Sequence, residues 1–327
     1  MLGISKMTVS RALREGTSVD PRVRAKVREA ARQLGYEADS RISQVMSAIR
    51  KSQAPQYREN IAFIWTQRAS DKGNLFADEF EGARSRAAQL GYKLDEFRST
   101  VPSTNGRVLS RILHSRGIRG VLIAPPGLDR PHPHVWLDWK NFCCVLLGRS
   151  FANAGLARVE HDHYFGCVLA VRRLKRRRYR RIALVMSHAM DERSARLVRS
   201  AFLTFHPLGA EAAARLVFTS DHYEPKALKK WIAETQPDVF VVNFEQGFPE
   251  VEQLRRAAPK TGFVALNWDN RQPEIAGIDQ HRNMIGEQAV DLLLRRLQGK
   301  QFGLDPLAPS IKVPGSWMDG ASLRVGK

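Results

Sequence analysis

A chain of 327 residues exceeds the size of one small module, so we expect two or three domains. Its 43% hydrophobic and 26% charged residues are typical of a globular protein, and no apolar run approaches the roughly 20 residues of a membrane-spanning helix. The net charge of +19 indicates a polyanionic partner, and three cysteines without metal-type spacing predict a cytoplasmic location.

The first forty residues predict two short amphipathic helices. Ser5 can cap a helix over about residues 6–14, because its hydroxyl can accept from an early backbone N–H. Asp20-Pro21 predicts the start of a second helix, which Gly35 ends. Both helices carry basic residues on their outer faces. Such a pair is typical of a helix-turn-helix, whose recognition helix enters the major groove of DNA.

A linker follows this predicted head. Asp39 or Ser40 can cap a short helix over residues 41–51, and the loose, polar residues 52–57 come next. Further along the chain, residues 172–181 contain eight Lys and Arg residues. A solvated helix end and turn is the favoured interpretation of that cluster, and a contact with a polyanion is the alternative.

From residue 61 onward, short apolar strands alternate with helical stripes. Continuous apolar strands with intervening helices indicate buried parallel sheets, and about 265 residues suit two doubly wound lobes. Ligands of such folds bind beyond the carboxyl ends of the strands. The predicted strands are Ile61–Trp65, Val121–Ala124, Val145–Leu147, Ile182–Met186, Val239–Val242 and Phe263–Leu266.

The stretch Ile4–Tyr36 closely resembles the N-terminal signature of the lactose/galactose repressor (LacI/GalR) family. The resemblance continues more weakly through "FEG…LGY" at Phe80–Tyr92, "VEHD" at Val159–Asp162 and "GIDQ" at Gly277–Gln280. It implies an α/β chain with a helical DNA-binding head and a two-lobed, doubly wound core of the periplasmic-binding-protein type I architecture.

The family pattern assigns DNA contacts within the head. Lys6, Met7 and Arg11 match its base-reading positions, which suits lysine and arginine on guanine and a methionine on a thymine methyl group. Thr8, Ser10 and Tyr36 match its phosphate contacts, and Ser5 belongs to the same predicted surface.

Two features depart from the family pattern. The family places another helix directly before Ile4, and here only Met1, Leu2 and Gly3 precede it. We expect a misassigned start codon or a shortened chain rather than a natural two-helix head. In the hinge, Val45 and Met46 stand where the family wedges a leucine into the minor groove, so the geometry of that wedge differs.

The resemblance also implies an effector site between the lobes. Asp269 matches the acidic residue that binds effector hydroxyl groups, and Asp162 and Asn243 are further candidates. The family's arginine is replaced by Val198, for which Arg196 or Arg199 could substitute. Four aromatic residues could stack on a sugar or pack in the core instead: Trp65, Phe76, Phe80 and Trp268.

The sequence contains no motif of a nucleotide-binding loop, a nucleophilic hydrolase or a zinc protease. We expect neither catalysis nor a cofactor, although a sugar- or nucleoside-processing enzyme remains a third hypothesis. The pairs His132/His134 and His161/His163 resemble metal ligands, but surface or turn histidines are the favoured interpretation.

These features predict a cytoplasmic, nucleoid-associated transcriptional regulator, favoured as a repressor. Its expected partners are a pseudo-palindromic duplex operator and a small-molecule effector, favoured as a carbohydrate, with a homodimer as the assembly and no membrane. The alternative is a cytosolic sensor of the same fold that has lost DNA binding.

We expect a head over residues 1–38, a hinge and linker over 39–60, and a core over 61–327. The first lobe is expected over about 61–158 and 282–308, and the second over 159–281 and 309–327.

Overall fold

The computed structural model describes Val9 and residues 20–33, 59–66, 76–98, 105–124, 137–149, 155–220, 225–243 and 249–323. The chain divides into two compact units, Met1–Gln56 and Tyr57–Lys327. This division falls inside the stretch that the sequence predicts as hinge and linker. Among the described helices, none is long and apolar enough to cross a membrane.

In the first unit the predicted second helix of the head is present as α1, Pro21–Gln33. Asp20 precedes it, and the Asp20 carboxylate accepts from the backbone N–H of Arg22 at 2.7 Å. Proline suits the first helical position because its missing N–H would have no partner there. The apolar stripe faces inward at Val27, which is 2% exposed.

The second unit begins with a six-stranded sheet in which every pair of neighbours is parallel, in the order β11-β5-β4-β3-β1-β2. Its central strands are apolar runs buried on both faces, as the sequence predicts. The strands are β1 Asn60–Trp65, β2 Lys93–Arg98, β3 Gly120–Ile123, β4 Cys143–Leu147, β5 Ala157–His161 and β11 Ser310–Val313.

Helices cover both faces of this first sheet. α2 (Ala77–Gln89) and α10 (Arg282–Gln298) pack closely against each other, and α10 also lies on strands β3 to β5. Gly91, with φ of 79°, follows α2 in the left-handed conformation that favours glycine after a helix. α3 (Asn105–Ser115) and a short 3-10 turn at Trp139–Asn141 contribute to the other face, where Leu113 and Leu137 are fully buried.

The second sheet also has six strands, in the order β12-β10-β9-β8-β6-β7. All neighbours are parallel except β10 and β12. The strands are β6 Ile182–Met186, β7 Val217–Thr219, β8 Val239–Asn243, β9 Gly262–Ala265, β10 Ala276–Asp279 and β12 Ser316–Met318. The helices between them are α4 His163–Arg176, α5 His188–Arg193, α6 Leu197–Phe205, α7 Ala210–Arg215, α8 Pro225–Thr235 and α9 Pro249–Ala257.

The chain passes between the two sheets three times, after β5, after β10 and after β11. The crossings pack on one another: a Cβ atom at Gly315 would lie 2.9 Å from both His161 Cε1 and the Asp279 carbonyl oxygen. Glycine is therefore required at that point of the third crossing.

Two expectations about the core need correction. The lobe boundaries at 158/159 and 308/309 are wrong, because β5 and β11 pair with each other inside the first sheet. The first chain passage to the second lobe therefore follows His161, and the last follows Val313. Six strands were also absent from the predicted set, among them β2, whose charged residues suit the edge of a sheet rather than its interior.

Candidate functional site

A cavity of about 350 Å³ lies where the two sheets meet. Asp78, in the first turn of α2, lines it from the first lobe. The chain following β9 lines it from the second lobe, and the crossing after β10 lines it together with the start of α10. These residues are Trp268, Asp269, Asn270, Asp279, Gln280, His281, Arg282, Asn283, Met284 and Glu287.

Trp268 and Asp269, two of the predicted effector contacts, lie together in this cavity. The Trp268 backbone N–H donates to the Ile278 carbonyl at 2.9 Å, which holds the chain after β9 against β10. The indole Nε1 of Trp268 is buried and has no hydrogen-bond partner in the described part of the chain. A ligand acceptor could satisfy it, since a buried donor without a partner destabilises the fold.

Asp269 is half-buried and ionised. Burial opposes its ionisation, but hydrogen bonds from the side chain and backbone of Arg271 hold the pKa of the Asp269 carboxyl below its ordinary value. The Arg271 guanidinium contacts the carboxylate at 2.8 Å and is itself 70% exposed. An ionised carboxylate is an acceptor only, so it suits the hydroxyl donors of a ligand.

The charge of the lining favours some ligands over others. Among the described residues that line the cavity, four carry a carboxylate, namely Asp78, Asp269, Asp279 and Glu287, and one, Arg282, carries a guanidinium. Because like charges repel across so small a volume, neutral or cationic ligands with several hydrogen-bond donors fit better than anions.

Sequence reasoning missed Arg282 and its neighbour Glu79. Glu79 is 5% exposed, one of its carboxylate oxygens lies 3.9 Å from the Arg282 guanidinium, and the other has no hydrogen-bond partner among the described residues. Burial raises the pKa of Glu79 to about 7, against the opposing effect of Arg282. Nothing in the local sequence shows this pair, because α2 and α10 bring it together across 200 residues.

Two further candidates lie at the ends of strands: Asn243 in the second sheet, and Asp162 directly after β5 of the first sheet. Asn243 ends β8, is 1% exposed, and has no partner for either amide atom among the described residues. Asp162 caps α4, its carboxylate accepting from the Phe165 N–H at 3.0 Å. Neither residue lines the cavity.

The structure separates the two arginine candidates. Arg196 is exposed, with φ of 58°, and precedes α6 without lining the cavity. Arg199 instead contacts the buried carboxylate of Asp191 at 2.8 Å and donates to the Thr219 hydroxyl at 2.8 Å. Arg199, rather than Arg196, is therefore the arginine fixed near the carboxyl end of β7.

Three aromatic candidates pack in the first lobe. Trp65 is 1% exposed, and its Nε1 donates a hydrogen bond to the Glu96 carboxylate at 2.8 Å. The centroid of its ring lies 4.7 Å from that of Phe63 and 5.3 Å from that of Phe80. This burial supports core packing, rather than stacking on a ligand, for Trp65. Phe76 and Phe80 are half-buried against the same core cluster.

The histidine pair at the first crossing also differs from expectation. His161 is 5% exposed rather than on the surface, and its ring lies 5.1 Å from that of His163 in an edge-on arrangement. Burial lowers the pKa of both imidazoles, that of His163 to about 4, so both are neutral near pH 7. The described residues contain no cluster of three potential metal ligands, and His132 and His134 lie outside them.

The predicted DNA contacts fall outside the described residues. They are Ser5, Lys6, Met7, Thr8, Ser10, Arg11, Tyr36, Val45 and Met46.

Residues 2–39 match the sequence profile of bacterial regulatory proteins of the lacI family. A comparison with curated protein sequences gives no match. Two solved structures of transcriptional regulators superpose on nearly the whole chain. The transcriptional regulator CelR in complex with cellobiose gives a TM-score of 0.61 at 19% identity, and 98% of this chain and 97% of that chain are covered. The Lac repressor bound to ONPG gives 0.57 at 18% identity with the same coverage.

A third structure, a regulatory protein of the LacI family from Chloroflexus aggregans, gives a TM-score of 0.60 at 16% identity. Here 80% of this chain and 98% of that chain are covered. At these identities the likeness establishes the fold of the core, while the profile match concerns the sequence of the head. The chain therefore combines a head sequence that matches the lacI family with a core that has the fold of these solved regulators.

Proposed function

We propose that the chain is a repressor whose operator affinity is controlled by a hydroxyl-rich small molecule, favoured as a carbohydrate, bound in the cavity between its lobes. The observation that carries this proposal is that Trp268 and Asp269 lie together in that cavity beside the start of α10. CelR and the Lac repressor were solved with cellobiose and ONPG, which makes carbohydrates the first class to test.

The lining supports a neutral carbohydrate over a phosphorylated one. Asp269 can accept from a hydroxyl group of the ligand, and the indole of Trp268 offers both a flat apolar surface and an N–H donor. The excess of carboxylates in the cavity opposes a phosphate group.

DNA recognition is proposed for the head. A homodimer would place two recognition helices on a pseudo-palindromic operator, with Lys6, Met7 and Arg11 on base edges and Thr8, Ser10 and Tyr36 on phosphates.

Asp269→Asn tests the effector site. This substitution keeps the size of the side chain but replaces one acceptor with a donor, so a lost charge-assisted hydrogen bond should weaken binding by about 1.5–3 kcal/mol, or roughly ten- to 150-fold. We would titrate cellobiose, ONPG and ribose calorimetrically into the full chain and into the variant. Operator affinity without a ligand should be the same for both proteins.

Glu274→Gln is the matched control, because Glu274 is exposed and does not line the cavity. If a sugar binds the parent chain and Asp269→Asn with equal affinity, the site lies elsewhere. If only a phosphorylated ligand binds, the proposed ligand class is wrong.

A further inference from the structure

Most of the positive charge of this regulator lies outside its DNA-binding head. Residues 1–60 contain 12 Lys and Arg residues against 6 Asp and Glu residues, so they contribute six of the 19 net positive charges. The densest remaining cluster comprises six exposed cations at the end of α4 and directly after it, which we name the basic edge. These residues are Arg172, Arg173, Lys175, Arg176, Arg178 and Arg180.

Contacts of Arg177 and Arg181 fix the end of this segment at the amino-terminal edge of the second sheet. The Arg177 guanidinium binds Asp319, directly after β12, at 2.5 Å. The Arg181 guanidinium donates from Nε to the Thr235 carbonyl at 2.8 Å, and Asp238, just before β8, accepts from the Arg181 backbone N–H at 3.2 Å. β12 and β8 are separated by three strand spacings, or about 14 Å.

Four cations of the basic edge have no carboxylate partner among the described residues that would compensate their charge. In the described ranges no carboxylate lies within 4 Å of Lys175, Arg176, Arg178 or Arg180. Asp238, which contacts the end of this segment, uses one carboxylate oxygen for the backbone amides of Arg180 and Arg181. The surface is therefore a row of cations that a partner can neutralise.

Local structure explains only part of this row. Cations in the last turn of a helix interact favourably with its dipole, which accounts for Lys175 and Arg176. Arg178 and Arg180 follow the end of the helix. Arg178 has φ of 65°, a conformation that favours glycine or asparagine, so neither capping nor backbone preference accounts for an arginine there.

The chemistry of the row points to phosphates. Five of its six cations are arginines, whose planar guanidinium binds phosphate through two parallel hydrogen bonds. Duplex DNA presents one phosphate charge per about 1.7 Å of helix axis, so a segment anchored to strands about 14 Å apart can face several phosphates. We propose that the basic edge is a second, sequence-independent contact surface for duplex DNA, located on the effector-binding core.

The test measures binding of the full chain to a random-sequence duplex that lacks the operator. The triple variant Arg176→Gln, Arg178→Asn and Arg180→Gln removes three charges, and asparagine suits the left-handed position. The control triple, Arg111→Gln, Lys140→Gln and Arg295→Gln, removes three exposed cations elsewhere on the core. Head contributions are common to all three proteins.

Fluorescence anisotropy from 50 to 200 mM salt should show a loss of affinity of about tenfold or more for the edge variant at low salt. The slope of log K against log salt should become shallower by about 2–3, because each lost phosphate contact removes about 0.9. The control triple should stay within about twofold of the parent chain. If the edge triple does not fold, Arg180→Gln alone should reduce the slope by about 1.

If both triple variants lose the same affinity for the duplex and the same salt slope, the effect is a general one of net charge and the proposal is overturned. An unchanged slope in the edge variant would also overturn it. If polyglutamate of equal charge displaces the duplex from the parent chain as effectively as unlabelled DNA, the edge is a surface for an acidic protein instead.

Discussion

At the scale of single residues, burial decides what the charged groups near the cavity do. Glu79 and Asp269 are both carboxylates beside arginines, yet the pKa of Glu79 is raised to about 7 and that of Asp269 is lowered. Desolvation dominates at Glu79, whereas Arg271 stabilises the charge of Asp269 through direct hydrogen bonds. The Glu79 carboxyl group therefore titrates near neutral pH, whereas the Asp269 carboxylate stays ionised and acts only as an acceptor.

Glu79 makes the stability of the core depend on pH. Because its pKa is about 7 in the folded chain and 4.5 in the unfolded chain, the folded state binds the proton more tightly. The contribution of Glu79 to the free energy of unfolding should fall by roughly 3 kcal/mol as the pH rises from 4.5 to 7, and level off above pH 7, whereas the lowered pKa values of His161 and His163 act in the opposite direction. Glu79→Gln should remove this dependence, as measured by urea denaturation at pH 5 and pH 8.

Glu81→Gln is the control for this experiment, since Glu81 lies on the same helix, is exposed, and has a lowered pKa through its hydrogen bond to Arg84. It should leave the difference between pH 5 and pH 8 unchanged. An identical pH dependence for Glu79→Gln and the parent chain would show that Glu79 is not the titrating group.

At the scale of elements, the first lobe depends on two helices that meet at glycines. A Cβ atom at Gly286 of α10 would lie 1.9 Å from the Glu79 carbonyl oxygen of α2, and one at Gly82 would lie 2.0 Å from the Asn283 carbonyl oxygen. These contacts are with backbone atoms, which cannot move aside without shifting a helix. The same close approach holds Arg282 and Asp78 beside the cavity.

Gly286→Ala should therefore destabilise the core by about 1–3 kcal/mol or more, because overpacking forces the two helices apart. Gly299→Ala is the matched control: the nearest atom to its new methyl group would be 3.4 Å away. Thermal and urea unfolding of both variants would check this. If the two substitutions cost the same, the helices can separate without penalty and the packing argument is wrong.

At the scale of the whole molecule, the two units can be tested separately. Both sheets lie between residues 60 and 318, and all six tryptophans lie beyond residue 57, so tryptophan fluorescence reports the second unit alone. A fragment of residues 57–327 should unfold at the same denaturant midpoint as the full chain. It should keep the binding of any sugar that the full chain binds, and lose preference for the operator.

Urea titration of the fragment and the full chain at one protein concentration would check this. A fragment midpoint clearly below that of the full chain would show that the second unit draws stability from the first 56 residues. Retention of operator preference by the fragment would contradict the assignment of recognition to the head.

The sequence by itself determined the positions of those strands that are buried on both faces. Runs such as Ile182–Met186 are apolar at every position, because both faces of the strand are covered, and that pattern survives without any knowledge of the fold. β2 could not be found in this way, since an edge strand mixes charged and apolar residues. The resemblance of the head to the lacI family, and the proximity of Trp268 and Asp269 to a strand end, were equally available from the sequence.

Only the tertiary structure decided which distant residues share a site. Strand β5 and strand β11 are 150 residues apart in sequence and become neighbours through backbone hydrogen bonds, which no local pattern encodes. The same holds for Glu79 and Arg282, and for the contact between Arg199 and Asp191. Burial also decided that Trp65 packs in the core, because exposure depends on the elements around a residue and not on its own chemistry.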